Sequence, residues 1–129
     1  MIKIVKVDYA WVARSFAIFG FKRVFIGSKF YNLPNDQQRA VIAHELGHIR
    51  LGHHAVRRWV APLALICTPF RKALYRTQEF EADDFATECG HGKALCSFLS
   101  QNNEFEGEYP KNVARIERIV HNKFYELFP

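Results

Sequence analysis

Long apolar runs, paired cysteines, repeats and low-complexity tracts are all missing from this chain, and each absence narrows what it can be. The longest uncharged apolar run, Trp59 to Phe70, spans twelve residues and contains Pro62 and Pro69. That is well short of the roughly 20 residues a membrane-crossing helix needs. Three cysteines, Cys67, Cys89 and Cys96, cannot all pair within one chain, and Lys3, Lys6, Asp8 and Arg14 interrupt the apolar residues of the amino-terminal stretch, so it lacks the shape of a signal peptide. The expectation is a reducing, cytoplasmic setting. With 49% apolar and 24% charged residues, the 129-residue chain has the balance of a packed globular protein, and residues 1–129 read as one domain.

What is present changes character along the chain. "IKIVKV" from Ile2 and "RSFAIFGFKRVFIGSKFY" from Arg14 alternate like strands, rich in β-branched and aromatic residues, with a hairpin predicted around Gly20 and Phe21. At "NLPNDQQ" the pattern breaks. Leu33-Pro34 ends the extended chain, and Asn35 followed by Gln38 has the spacing of a helix cap and its reciprocal partner. Apolar Val41, Ile42, Leu46, Ile49 and Val56 then recur at helical spacing, which predicts one helix from Asp36 to about Arg58. Further helices are predicted near Arg71–Cys89, Lys93–Gln101 and Val113–Phe128, with a polar loop "NNEFEGEYP" between the last two.

Four of the six histidines fall within eleven residues of this first helix, in "AHELGHIRLGHH". Positions four apart differ by about 40° around a helix, so His44 and His48 share a face and can reach one zinc ion. Glu45 stands beside them, placed to meet a water on that metal. Gly47 leaves room for another chain element or a substrate. A catalytic site normally takes a third protein ligand. From the residues alone it could come from Glu79, Glu81, Asp83 or Asp84 in "QEFEADDFA", or from His53 or His54. Glu79 and Asp83 share a helical face, so one could bind metal while the other orients a ligating imidazole through its outer nitrogen.

These strings carry a resemblance. "AHELGHIRLGHH" followed by "EFEADDFA" is similar to the HtpX-like and CaaX prenyl endopeptidase family of zinc metallopeptidases, and "GFKRVFIGSKFYNLPNDQQRAVI" and "YPKNVARIERI" resemble flanking parts of its pattern. The resemblance implies a zincin-like α+β domain, with a short amino-terminal antiparallel sheet followed by a helical bundle carrying the H-E-x-x-H helix. It implies one zinc per chain held by His44, His48 and Glu79, with Glu45 as general base and Asp83 behind a ligand. It places Tyr109 where the family has a histidine and Arg115 at the family's arginine, so these two fall where an oxyanion donor and a nearby positive charge are expected. The chain departs from most of the family in having no membrane-spanning helix.

The implied function is a zinc-dependent endopeptidase acting on a peptide or protein substrate. The rival reading is a catalytically weak binding or regulatory protein of the same fold. Val24, Phe25, Ile26 and Gly27, predicted on an edge strand, are candidates to hold an extended substrate by strand addition. The net charge of +5 comes without a nucleic-acid-reading motif, so no nucleic acid is expected; basic residues around 59–70 suggest instead peripheral contact with the inner membrane face. Cys89, His91 and Cys96 lack the paired spacing of a second metal site. If the register of the carboxylate motif is right, Glu79→Ala removes or greatly weakens metal binding and Glu81→Ala retains it, as titration with zinc would show; the opposite ranking would mean the wrong register.

Overall fold

The sequence alternation becomes a three-stranded sheet of β1 (Ile2–Lys6), β2 (Ala13–Ile18) and β3 (Phe21–Ile26) in a computed structural model that describes residues 1–102 and 110–127. The hairpin turns through Phe19 and Gly20, one residue earlier than the sequence suggests, because Ile18 pairs with Phe21. The strand order is β1-β3-β2. β2 runs antiparallel to β3, but β1 runs parallel to it, so the sheet is mixed rather than wholly antiparallel. The α+β class stands, with strands first and helices after.

That order overturns the expected edge position of residues 24–27. β3 is the central strand, and its main-chain groups are engaged on both sides. Val24 and Ile26 are buried, Gly27 donates to the Val12 carbonyl at 3.1 Å, and a Cβ on Gly27 would lie 2.3 Å from the Trp11 carbonyl oxygen. Val24, Phe25, Ile26 and Gly27 therefore cannot accept a substrate strand. The open edge beside the helices belongs to β2.

Five α-helices follow among the described residues: α1 (Asn35–Arg50), α2 (His53–Ile66), α3 (Thr68–Ala86), α4 (Gly92–Gln101) and α5 (Asn112–Val120). The predicted 36–58 helix is two helices. Gly52 sits just past the end of α1 with φ +72°, the left-handed conformation that glycine adopts at helix ends without steric cost, and the chain turns there into α2. The expected reciprocal cap at Asn35 is also replaced. Gln38 Nε2 donates back to the Phe30 and Leu33 carbonyls at 3.2 and 3.1 Å, tying α1 to the 3₁₀ turn that precedes it. Pro69 in the first turn lets α3 begin at Thr68, ahead of the predicted start. α5 stops at Val120 and is followed, among the described residues, by a short 3₁₀ turn at Tyr125–Leu127.

The core joins the sheet to the helices through Val12, Ile26, Phe30, Val41, Leu95, Phe98, Leu99 and Ile119. Within it, α1 and α3 approach closely because the residues between them are small. Ala82 and Ala86 are fully buried, and a Cβ on Gly47 would meet the Ala82 Cα and the Phe85 side chain at 3.1–3.2 Å. The space left at Gly47 is thus filled by α3, and that contact brings the carboxylates of α3 to the histidines of α1. Gly47→Val should force the helices apart, lowering stability by about 1–3 kcal/mol as overpacking does. Denaturant unfolding and metal titration should both register the change; unchanged values in both would contradict the tight contact.

Candidate metal centre

α1 presents His44 and His48 one turn apart, and α3 presents Glu79 and Asp83 one turn apart, so the two helices face each other with matched pairs. His44 Nε2 lies 2.9 Å from Glu79 Oε2, His48 Nε2 lies 3.2 Å from Glu79 Oε1, and the two ring nitrogens are 3.2 Å apart. Donors on a tetrahedral ion with arms of about 2.0–2.1 Å are separated by about 3.3 Å. His44, His48 and Glu79 thus form a group that could hold a metal ion, two imidazole nitrogens and a carboxylate turned toward one point.

Each of the two imidazoles has a partner on its outer nitrogen. Asp83 Oδ1 lies 2.8 Å from His44 Nδ1, and Asp83 in turn accepts two hydrogen bonds from Arg115 of α5, from Nε at 2.9 Å and from Nη2 at 2.8 Å. Asp83 is wholly buried and Arg115 nearly so. Removing one partner of such a pair generally costs about 3–5 kcal/mol, because the other charge is stranded away from water. Arg115 also reaches to 3.8 Å from Glu79 Oε2. Two of its donors are engaged by Asp83, which makes it part of the support of His44 whatever else it does.

The support of His48 was not visible in the sequence. His53, the first residue of α2, is buried and brings its Nδ1 to 2.8 Å from His48 Nδ1, while its Nε2 lies 3.3 Å from Glu81 Oε1. Gln78 Nε2 donates to the His53 carbonyl at 3.3 Å and fixes the start of α2 against α3. His53 and His54 had stood as rival ligands; the structure turns them to other partners. His54 Nε2 is 3.0 Å from Ser15 Oγ on β2. The one sequence signal for this arrangement was Gly52, which lets the chain fold back at that point.

Beside the three ligand atoms lies a cleft of about 460 Å³, lined by Val12, by Ala13, Arg14 and Ser15 of β2, and by Glu45, His54, Arg57, Tyr75, Pro110 and Arg115. Glu45 is therefore on the cleft wall next to His44 and His48. Tyr109 lies outside the described residues.

Electrostatics follow from this packing. Burial disfavours a charge on His44, but the Glu79 and Asp83 carboxylates on its two nitrogens outweigh burial and raise it to about 10. Burial likewise opposes ionisation of Glu79, and the neighbouring histidines overcome it and hold the carboxyl well below its usual range. Asp83 is lowered in spite of burial, chiefly by Arg115. His53 and His54 move the other way, to about 4, through burial and then the neighbouring His48 and Arg57.

A model of Peptidase family M48 matches residues 9–68, just under half of the chain. The match takes in β2, β3 and the helix with His44, Glu45 and His48, and it ends before Glu79, Asp83 and Arg115. Over these residues the chain is similar to that family of peptidases. Curated proteins and solved structures gave no significant match.

Metal binding here must displace the His44 proton. Because His44 is raised to about 10 in the metal-free protein, its proton is held throughout the neutral range. Affinity for a divalent metal should therefore climb about tenfold per pH unit between pH 7 and 9 from this group, and level off above about 10. Calorimetry in buffers of different ionisation enthalpy should detect about one proton released per metal at pH 8; none released would contradict the pairing of His44 with two carboxylates.

Proposed function

We propose that the chain is a zinc-dependent endopeptidase that hydrolyses peptide bonds without a covalent intermediate. The observation that carries the reading is the convergence of His44, His48 and Glu79 on one point beside Glu45, in a cleft that runs along the open edge of β2. His44, His48 and Glu79 would hold the zinc, one per chain. When bound, zinc supplies Lewis acidity toward the scissile carbonyl and toward water.

The remaining chemistry belongs to the chain's own residues. Glu45 accepts the proton of the attacking water and delivers it to the leaving amine, so one carboxylate serves as base and then acid. Asp83 and Arg115 keep His44 oriented, and His53 with Glu81 does the same for His48. Tyr109 is next in sequence to Pro110 of the cleft wall and is our proposed donor to the oxyanion; Arg115 contributes positive charge nearby.

The substrate main chain would pair with β2 at Ala13–Ser15 on the edge away from β3, where no strand pairs among the described residues. Pairing of this kind engages backbone groups and asks little of side-chain sequence. Farther along, the Ala17 carbonyl already accepts a hydrogen bond from Arg58, which closes that end of the edge.

A metal-holding binding protein without turnover is the rival, and it has no use for a carboxylate beside the ligands on the cleft wall. Glu45→Gln keeps size and hydrogen bonding but cannot take the proton. With matched zinc content, cleavage of casein or a peptide library by this variant should fall by about 10²–10⁴ in kcat; equal turnover by both proteins would overturn the mechanism.

A further inference from the structure

The far end of α2 has no work to do at the metal centre, and its exposure is unusual. Trp59 is 87% exposed, Leu63 47%, Leu65 79% and Ile66 84%. Trp59, Leu63 and Ile66 lie at positions i, i+4 and i+7, one face of the helix, and Leu65 adjoins them where α2 turns into α3 at Cys67. Large apolar side chains this exposed, and grouped on one helix end, mark a surface that something covers.

Charge tells what covers it. Between Glu45 and Glu79 the chain runs 33 residues, Leu46 to Gln78, without a single Asp or Glu, and that stretch contains Arg50, Arg57, Arg58, Arg71, Lys72 and Arg76. The apolar tip is therefore flanked on both helices by side chains of one sign only, Arg57 and Arg58 directly before Trp59 and Arg71 and Lys72 one turn after the corner. An indole and aliphatic side chains at the tip with cations just behind them match the layering of an anionic bilayer, hydrocarbon inside and phosphate outside. No helix among the described residues is long and apolar enough to cross a membrane, so the contact is one of lying on the surface.

We propose that the α2–α3 corner docks this protein on anionic lipid, with Trp59, Leu63, Leu65 and Ile66 entering the interface and the Arg71 and Lys72 side chains meeting phosphates. The inference does not depend on the proposed peptidase activity. α2 rises about 1.5 Å per residue, so Ile66 is roughly 18 Å along the helix from His54 at the cleft. Changes at the tip should thus leave the metal centre intact.

The test is sedimentation with vesicles of phosphatidylcholine alone and of phosphatidylcholine with about 30% phosphatidylglycerol, the latter carrying the negative surface charge that attracts basic side chains. Partition should be at least about tenfold stronger into the anionic vesicles and should weaken as salt is raised. Leu65→Ser with Ile66→Ser should reduce it about tenfold or more, at about 0.8 kcal/mol per buried CH₂ withdrawn from lipid. Arg71→Gln with Lys72→Gln should reduce it about 25-fold, from roughly fivefold per charge. Circular dichroism and the thermal midpoint identify any variant that has failed to fold. In that case a reporter replaces it: Trp11→Phe leaves Trp59 as the sole indole, and its emission should shift to the blue on anionic vesicles alone. Equal partition into both vesicle types, no partition into either, an unmoved Trp59 emission, or a dimer in ultracentrifugation that the Leu65/Ile66 variant dissolves would each overturn the assignment to lipid.

Discussion

Arg115 and Asp83 form a bidentate ion pair from which water is almost wholly excluded, and three helices meet on it. α5 supplies the guanidinium, α3 the carboxylate, and α1 the His44 ring that Asp83 grips on its outer nitrogen. A buried carboxylate is tolerable only with such a partner. The pair therefore links the carboxyl-terminal third of the chain to the metal ligands: without α5 in place, Asp83 would be a stranded charge beside His44. The small residues between α1 and α3 have the same effect from the other direction, since only a glycine opposite Ala82 allows the helices near enough for Glu79 to meet both imidazoles.

His44 and His48 do not stand alike within this frame. His44 is backed by an ionised pair, and the two carboxylates around it favour a protonated ring until a metal replaces the proton. His48 is backed by His53, a ring pushed toward the neutral form by burial and by nearby positive charge. One ligand is thus tied to a negative partner and the other to a neutral one. Both ties fix ring orientation, which is what a metal site requires of its supporting residues.

The parts of this arrangement that were legible in the sequence are those set by local periodicity. The i, i+4 spacing of His44 with His48 and of Glu79 with Asp83 follows from helix geometry alone, and the structure brings those four residues together. What could not be read depends on non-local pairing. Residues 24–27 have the composition of a strand whether they lie at an edge or in the centre; β1 pairing in parallel on the far side of β3 decides it, and nothing within the segment shows that. The break at Gly52 was obscured by the apolar repeat that continues to Val56, although a glycine closely following Ile49 and Arg50 is the usual mark of a helix end. From that missed break came the misplacement of His53, whose role depends on the chain turning back. Arg115 was assigned by resemblance to substrate charge, and only the packing of α5 on α3 reveals how much of it is committed to Asp83.

Crystals soaked with zinc and measured on both sides of its absorption edge test the account most directly. It predicts one anomalous peak per chain, bounded by His44 Nε2, His48 Nε2 and a Glu79 carboxylate oxygen, with Asp83 still bridging His44 and Arg115. A peak ligated by His53 or by Asp83 itself, or the absence of any peak between α1 and α3, would contradict it.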